Sequence, residues 1–254
     1  MPDSALRVTH HASVATVTLT RGKVNAIDVG LLEELRTALE HLEHDDEVRA
    51  VVLTGSGRVF SAGVDLRLVV DSGPGYAPRL VEGLATAFEA LFCFPKPTVA
   101  AVNGAAVAGG CILACACDRR VIAEHARIGA SELAVGVPFP VAALEVLRHA
   151  CGAHTEDLVF SGRLLDAHEA LSIGMVHEIS PGEKVLEGAQ TVATELGSLA
   201  PLAYRLAKQQ LRRPALERMR SDAAAIDGTV SAEWGAPHTA ERLRAQLDRI
   251  AAGR

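Results

Sequence analysis

The residues of this sequence with the clearest chemical potential are a glycine-rich segment and one glutamate. The segment N-G-A-A-V-A-G-G-C, residues 103–111, leads directly into the apolar Ile112, and Glu132 follows on a separate segment. A glycine-rich turn at the start of a helix offers unpaired backbone N–H groups to a negative charge. A carboxylate on another loop can move a proton beside that charge. These residues therefore indicate enolate chemistry, and the apolar Ile112 limits which enolate reactions fit.

The glycine segment allows two interpretations once nucleotide-binding loops are excluded. Gly104 and Gly109 have the spacing that begins a phosphate loop, but Gly110 and Cys111 occupy the positions of its lysine and its hydroxyl residue. The dinucleotide pattern G-x-G-x-x-G does not fit the segment either. It is then a tight strand-to-helix turn that needs glycine for steric reasons, or a turn whose Gly109 N–H donates to a forming oxyanion.

A second turn, V-F-S-A-G-V-D-L at residues 59–66, follows a predicted strand. Val59 stands where the nucleophile elbow G-x-S-x-G requires its first glycine, so this turn does not present a hydrolase serine. By itself the segment predicts only an exposed turn that contains a glycine.

The elements that must position these turns alternate between strands and helices. Strand-forming residues occupy 6–20, 48–54 and 97–102, the last immediately before the glycine segment. A helical pattern begins at Asp28, and a capped helix begins at Asp166 and stops near glycine. Repetition of strand, turn and helix predicts an α/β core rather than a bundle or a sandwich.

The C-terminal third has a different pattern. From about Glu183 it is predicted to be almost all helix, broken at Pro201, Pro214 and Pro237. We therefore divide the chain into a core, residues 1–195, and a C-terminal helical region, residues 196–254, that serves as an oligomer contact, a lid or both. A basic stripe in this region, formed by Arg205, Lys208, Arg212 and Arg213, is either a solvated face or a contact for phosphates.

Composition excludes several classes of protein. The 254 residues are 49% hydrophobic and carry a formal net charge of −6, which is typical of a globular protein and argues against nucleic acid as a partner. The sequence contains no apolar run long enough for a membrane span, and residues 1–8 do not resemble a signal peptide. The cysteines are odd in number, and three of them share one apolar segment. This pattern predicts reduced, buried thiols in a cytoplasmic protein, with no metal site.

Several segments together resemble the crotonase (enoyl-CoA hydratase/isomerase) superfamily. They are F-S-A-G-V-D-L at 60–66, P-K-P-T-V-A-A-V-N-G-A-A-V-A-G-G-C at 95–111, and C-D-R-R-V-I-A-E-H-A-R-I-G-A-S-E at 117–132. The segment R-G-K-V-N-A-I at 21–27 resembles the first CoA-contacting loop of that family, and residues 165–176 resemble a later segment. The resemblance covers most of residues 5–215. It implies a spiral of ββα units with trailing helices, assembled as a homotrimer or as a hexamer.

The resemblance also implies roles for individual residues. The backbone N–H groups of Val64 and Gly109 match the two oxyanion-hole donors, which hold the thioester oxygen of an acyl-CoA. Lys23, Val24 and Ala62 match backbone positions of the adenine pocket, whereas Asp65 and Leu66 flank the pantetheine path. Residues 67–90 are expected to shape the acyl pocket. Coenzyme A is then part of the substrate, and no separate cofactor is expected.

One position departs from the hydratase pattern. Hydratases of this family use two glutamates, and here the first position is Ile112, whereas the second is Glu132. An apolar Ile112 is expected to exclude water and to raise the pKa of Glu132 by desolvation. The sequence therefore resembles the Δ3,Δ2-enoyl-CoA isomerase branch, in which Ile112 borders the substrate and one glutamate suffices.

Three functional interpretations follow from this departure. The first is isomerisation of 3-enoyl-CoA to 2-enoyl-CoA, with Glu132 as the proton shuttle. The second is hydration of 2-enoyl-CoA to 3-hydroxyacyl-CoA, or another reaction of the superfamily. The third is an acyl-CoA-binding paralogue without activity. Acyl-chain length, the choice among fatty-acid β-oxidation, amino-acid and sterol breakdown, and trimer versus hexamer stay open.

Overall fold

The computed structural model describes residues 4–73 and 75–252. Residues 1–3 of the segment compared with a signal peptide, and Pro74 of the expected acyl-pocket segment, lie outside the described residues. The strands are β1 (Leu6–His11), β2 (Val14–Leu19), β3 (Ala50–Gly55), β4 (Val59–Ser61), β5 (Thr98–Val102), β6 (Ala105–Val107), β7 (Arg119–Ala123), β8 (Arg127–Gly129), β9 (Leu165–Asp166) and β10 (Glu178–Ser180).

The helices follow the same chain order. They are α1 (Val29–His44), α2 (Leu66–Asp71), α3 (Tyr76–Cys93), α4 (Gly109–Ala116), α5 (Glu132–Val135), α6 (Val141–Cys151), α7 (Thr155–Ser161), α8 (Ala167–Ser172), α9 (Val185–Gly197), α10 (Pro201–Trp234) and α11 (Pro237–Ala252). Short 3-10 helices lie at Gly152–His154 and Gly182–Lys184. None of the helices in the described part of the chain is both long and apolar enough to cross a membrane.

Two sheets explain the repeated pattern of the sequence. The larger sheet has the order β1-β2-β3-β5-β7-β10, and the smaller sheet has the order β4-β6-β8-β9. Each consecutive pair, β3–β4, β5–β6 and β7–β8, contributes one strand to each sheet before the chain enters a helix. Apart from the β1–β2 and β8–β9 pairs, the strands run parallel. This arrangement confirms the predicted α/β spiral of ββα units with C-terminal helices.

Local signals place the helices where the sequence predicted them. The Asp28 side chain caps α1 by accepting a hydrogen bond from Leu31 N at 2.8 Å, and leucines spaced along one face of α1 are buried. Asp166 and Glu169 form a reciprocal capping box at the start of α8. These caps satisfy backbone N–H groups that have no partner within their own helices.

The prediction of a helix break at Pro214 is wrong. Helix α10 continues through Pro214 from Pro201 to Trp234, whereas Pro201 and Pro237 stand at helix starts as predicted. A proline inside a helix removes one backbone hydrogen bond and crowds the preceding turn. Buried contacts on both sides of Pro214, made by Arg212 and Ala215, hold the helix against the core.

The basic stripe on α10 is solvated at Arg205 and Arg213 but not at its two middle residues. Lys208 and Arg212 are buried, and both pair with the buried carboxylate of Asp118, at 2.9 Å and 2.7 Å. Tyr204 OH and Thr98 N donate to the same carboxylate, at 2.9 Å and 2.8 Å. This ion cluster fixes the first half of α10 on the core, so Lys208 and Arg212 are structural residues rather than phosphate contacts.

Candidate active site

The Gly109 N–H is free because of where helix α4 begins. Gly109 is the first residue of α4, so its N–H has no acceptor within the helix. The preceding residue, Ala108, has a φ of 51°, a conformation that costs a non-glycine residue about 1–3 kcal/mol. Hydrogen bonds hold it there: Ala108 N donates to Gly129 O at 2.8 Å, and Ile112 N donates to Ala108 O at 3.1 Å.

The Val64 N–H is free because of a parallel bridge to the loop before α1. Ile27 N donates to Gly63 O at 2.8 Å, and Asp65 N donates to Ile27 O at 2.9 Å. In such a bridge the residue between the two bonds turns its own N–H to the other side. Within residues 4–73 and 75–252, neither the Val64 N–H nor the Gly109 N–H donates a hydrogen bond.

A close backbone approach brings these two N–H groups to the same place. Gly63 has a φ of +82°, and a Cβ on it would lie 2.8 Å from Val107 O and 3.5 Å from Gly109 N. A Cβ on Gly110 would lie 2.5 Å from Ser61 O. Because no side chain fits at either glycine, the turn after β4 packs directly on the turn before α4. Both N–H groups then border one cavity and can act as paired donors.

The loop between β2 and α1 joins the same arrangement. Ala62 N donates to Val24 O at 3.0 Å, and the buried Asn25 side chain donates to Val59 O at 2.8 Å. The loop therefore lies beside the turn after β4, with Lys23 exposed to solvent. Lys23, Val24 and Ala62, which the resemblance assigned to one binding site, are thus neighbours through this hydrogen-bonded loop.

The cavity beside the two N–H groups is largely apolar and has a volume of about 160 Å³. Residues from most of the chain line it: Ala62, Val64, Leu66, Leu84, Phe88, Val107, Ala108, Gly109, Ser131, Glu132, Val135, Val137, Pro140, Ala143, Trp234, Gln246 and Ile250. Leu84 and Phe88 come from the segment predicted to shape the acyl pocket. Among the described lining residues, Glu132 is the only ionisable one.

Glu132 stands at the first position of the short helix α5, with its side chain in this cavity. The residue is only 7% exposed, and its Oε2 is buried without a hydrogen-bond partner in the described chain. Desolvation by the apolar surroundings raises the pKa of Glu132 to about 8, against a smaller lowering by a backbone hydrogen bond. The rise in this pKa has the predicted direction and comes from desolvation, but Ile112, to which the prediction ascribed it, does not line the cavity. A carboxylate of this pKa can accept and return a proton near neutral pH.

Comparison with known proteins identifies the family. The enoyl-CoA hydratase/isomerase family model matches residues 9–241. The chain belongs to the enoyl-CoA hydratase/isomerase family. It is 42% identical to a putative enoyl-CoA hydratase of Thermus thermophilus over 190 residues, which are 74% of this chain and 75% of that relative.

Two solved structures are closely similar to the structure of this chain. Human mitochondrial Δ3-Δ2-enoyl-CoA isomerase superposes with a TM-score of 0.93 at 27% identity, covering 98% of this chain and 99% of the human chain. A Mycobacterium tuberculosis protein, called an enoyl-CoA isomerase in one solved structure and a probable enoyl-CoA hydratase in another, superposes with a TM-score of 0.82 at 31% identity in the first, covering 89% of this chain and 98% of that chain. The crotonase-type fold and an acyl-CoA substrate are therefore shared with proteins named for both reactions.

Four of the expected site residues, Lys23, Val24, Asp65 and Ile112, do not line the cavity. Ile112 lies within α4 and is fully buried, but it does not line the cavity. The Asp65 side chain caps α2 by accepting from Arg67 N at 3.0 Å and from Leu68 N at 3.2 Å. Ile112 is therefore a core residue of α4, and Asp65 is a helix cap. Leu66, in contrast, lines the cavity as expected.

Sequence reasoning missed the contribution of the C-terminal helices to the site. Trp234 at the end of α10, and Gln246 and Ile250 on α11, line the cavity. Trp234 is buried, and its Nε1 donates to Pro138 O at 2.9 Å. The one available signal was that Trp234 is the only tryptophan of the sequence. The sequence analysis left a lid, an oligomer contact or both open for this region and assigned none of its residues to the site.

Proposed function

We propose that this acyl-CoA enzyme converts 3-enoyl-CoA thioesters to 2-enoyl-CoA thioesters. The observation that carries the proposal is a single carboxylate, Glu132, in an apolar cavity that two unpaired N–H groups border. An allylic proton shift needs one group that removes a proton from C2 and returns it to C4, at the other end of the shifting double bond. It does not need a second acid, because no water is added.

The reaction balances with these groups alone. The Glu132 carboxylate takes a proton from C2, and the electrons of that C–H bond move toward the thioester oxygen to form a dienolate. The Val64 and Gly109 N–H groups stabilise the oxygen; removing one such donor typically costs about 2.7–4 kcal/mol in transition-state stabilisation. The protonated Glu132 then delivers its proton to C4, and the double bond moves from C3–C4 to C2–C3. No separate cofactor takes part, since coenzyme A is carried by the substrate.

Hydration of 2-enoyl-CoA is the second candidate. It is favoured by the curated relatives, including the Thermus thermophilus protein named as a putative enoyl-CoA hydratase. Hydration requires one group to deprotonate water and another to protonate the α-carbon. The apolar Ile112 occupies the position that the resemblance assigns to the first glutamate of hydratases, and Glu132 is the only carboxylate among the described residues that line the cavity.

The decisive experiment follows double-bond conjugation in 3-hexenoyl-CoA by ultraviolet absorbance. We expect turnover by the wild-type protein and a loss of about 10²–10⁴-fold in the Glu132→Gln variant, the usual contribution of a general base. Glu195→Gln, which changes an exposed carboxylate on α9, is the matched control and should retain full activity.

Three results would redirect the proposal. Fast conversion of crotonyl-CoA to its 3-hydroxy product, with slow isomerisation, would establish hydration instead. Equal isomerisation by wild type and Glu132→Gln would remove Glu132 from the mechanism. Stabilisation by acyl-CoA without turnover of either substrate would indicate a binding paralogue. We also propose a homotrimer or hexamer, which sedimentation analysis of the purified protein tests.

A further inference from the structure

The cavity has an open side and a closed end. Its lining includes Ala62, which is exposed, and Ile250, which is 45% exposed. The lining residues Phe88, Val137 and Trp234 are instead 1%, 2% and 3% exposed. The exposed part of the lining therefore includes the turn after β4 and α11, and the buried part includes residues of α3, α6 and α10, which we take as the closed end.

This difference in exposure orients the substrate of the proposed function, on which the inference rests. The bulky, charged coenzyme A portion must remain on the open side. With the thioester oxygen on the Val64 and Gly109 N–H groups, the acyl carbons beyond C4 point toward the closed end. Phe88, Val137, Ala143 and Trp234 form that end, and none of them carries a charge or a basic group.

The Trp234 indole is the least adjustable part of the closed end. Its Nε1–H donates to Pro138 O at 2.9 Å, and a Cβ on the following Gly235 would lie 3.7 Å from the Ala77 side chain on α3. A longer acyl chain must displace this ring together with its hydrogen bond, whereas a shorter chain leaves the closed end incompletely filled. Both situations weaken binding. Each methylene buried in the closed end contributes to the binding free energy, and a shorter chain lacks part of that contribution, whereas a longer chain loses it to the displacement of the ring.

We infer that the closed end selects uncharged acyl chains and that Trp234 sets the longest chain that fits. An acyl chain with a terminal carboxylate would bring a charge into an apolar pocket that offers it no basic partner, which is strongly unfavourable. Trp234 is thus a specificity-determining residue, contributed by the C-terminal helical region and distant in sequence from both oxyanion-hole donors.

The wild-type protein provides a direct test, because Trp234 is its only tryptophan. Saturated acyl-CoAs cannot isomerise, so a titration with butanoyl-, hexanoyl-, octanoyl- and decanoyl-CoA reports binding alone. We expect no change in tryptophan emission with coenzyme A, and a change that begins at the chain length that reaches the indole. Adipyl-CoA, which adds a terminal carboxylate to the hexanoyl chain, should bind at least about tenfold more weakly than hexanoyl-CoA.

Variants separate the size of the indole from its hydrogen bond. Trp234→Ala should move the optimum of kcat/KM among 3-enoyl-CoAs to longer chains. The ratio of kcat/KM for a longer substrate to kcat/KM for a shorter one should rise by about tenfold or more for each methylene by which they differ. Trp234→Phe keeps one aromatic ring but lacks the donor to Pro138 O, and its optimum should lie between those of wild type and Trp234→Ala. Thermal unfolding checks that both variants are folded.

The outcomes distinguish this inference from the proposed reaction. A chain-length-dependent emission change without isomerase turnover would support the pocket and refute the reaction. Turnover of 3-hexenoyl-CoA with no emission change at any chain length would refute the role of Trp234 and leave the reaction standing. An unchanged chain-length profile in folded Trp234→Ala would also refute it. If Trp234→Ala does not fold, the wild-type titration decides.

Discussion

Burial of Glu132 makes the stability of this protein depend on pH in a way that can be calculated. The pKa of a free glutamate is 4.5, and desolvation raises the pKa of Glu132 to about 8 in the folded chain. The folded state therefore holds this proton more tightly than the unfolded state. The resulting stability is fully present below pH 4.5 and is lost as the pH rises through about 8.

The magnitude follows from that difference in pKa. Each pKa unit corresponds to about 1.4 kcal/mol, so the change from 4.5 to about 8 amounts to about 5 kcal/mol between acidic and alkaline pH. Because Glu132 is almost inaccessible to solvent, screening by water does not remove the effect. This loss is a large fraction of the about 5–15 kcal/mol by which domains are usually stable.

The perturbation that isolates the effect is Glu132→Gln, since glutamine resembles the protonated glutamate and does not titrate. Urea unfolding of both proteins from about pH 5 to about pH 9 gives the difference in unfolding free energy. We expect little difference at the acidic end, and a variant more stable by several kcal/mol at the alkaline end. Subtracting the two curves removes groups that both proteins share.

A difference that stays constant with pH would refute the reasoning, because it would mean that Glu132 ionises in the folded chain as easily as in water. The exposed Glu195→Gln variant is the control, and its unfolding free energy should differ from that of wild type by less than about 0.5 kcal/mol at every pH. Activity need not be measured, so this test is independent of the reaction assigned to the cavity.

Three further predictions concern the reaction and its scaffold. Isomerase kcat/KM should rise with pH through an apparent pKa near 8, because the ionised Glu132 is the base; a flat profile between about pH 6 and about pH 9 would contradict this. Gly63→Ala should lower kcat/KM by about 10²–10³-fold by displacing an oxyanion donor, whereas Gly57→Ala, whose added Cβ meets nothing within 4 Å, should leave turnover nearly unchanged. Lys208→Met should destabilise folding by about 3–5 kcal/mol because it unbalances a buried ion cluster, and the exposed Arg205→Met should cost less than about 0.5 kcal/mol in urea unfolding.

Much of the scaffold could be predicted because its signals are local. The leucine spacing and the Asp28 cap define α1, and alternating short apolar segments define the paired strands of the spiral. Local signals failed at Pro214, where the intrinsic tendency to end a helix was overridden by buried contacts from distant segments. They also failed at Lys208 and Arg212, whose charges look solvated in sequence but have Asp118 as a buried partner.

The sequence by itself determined the chemical inventory of the site: glycines at 63, 109 and 110, the carboxylate of Glu132, and an apolar residue at 112. Only the tertiary structure decided how these groups act. It places the Val64 and Gly109 N–H groups at one cavity, buries Ile112 in the core, and adds Trp234 of the C-terminal helices to the lining of that cavity. Contacts between segments far apart in the chain decide which N–H groups stay unpaired and how strongly a carboxylate is desolvated. Residue types alone do not specify those contacts.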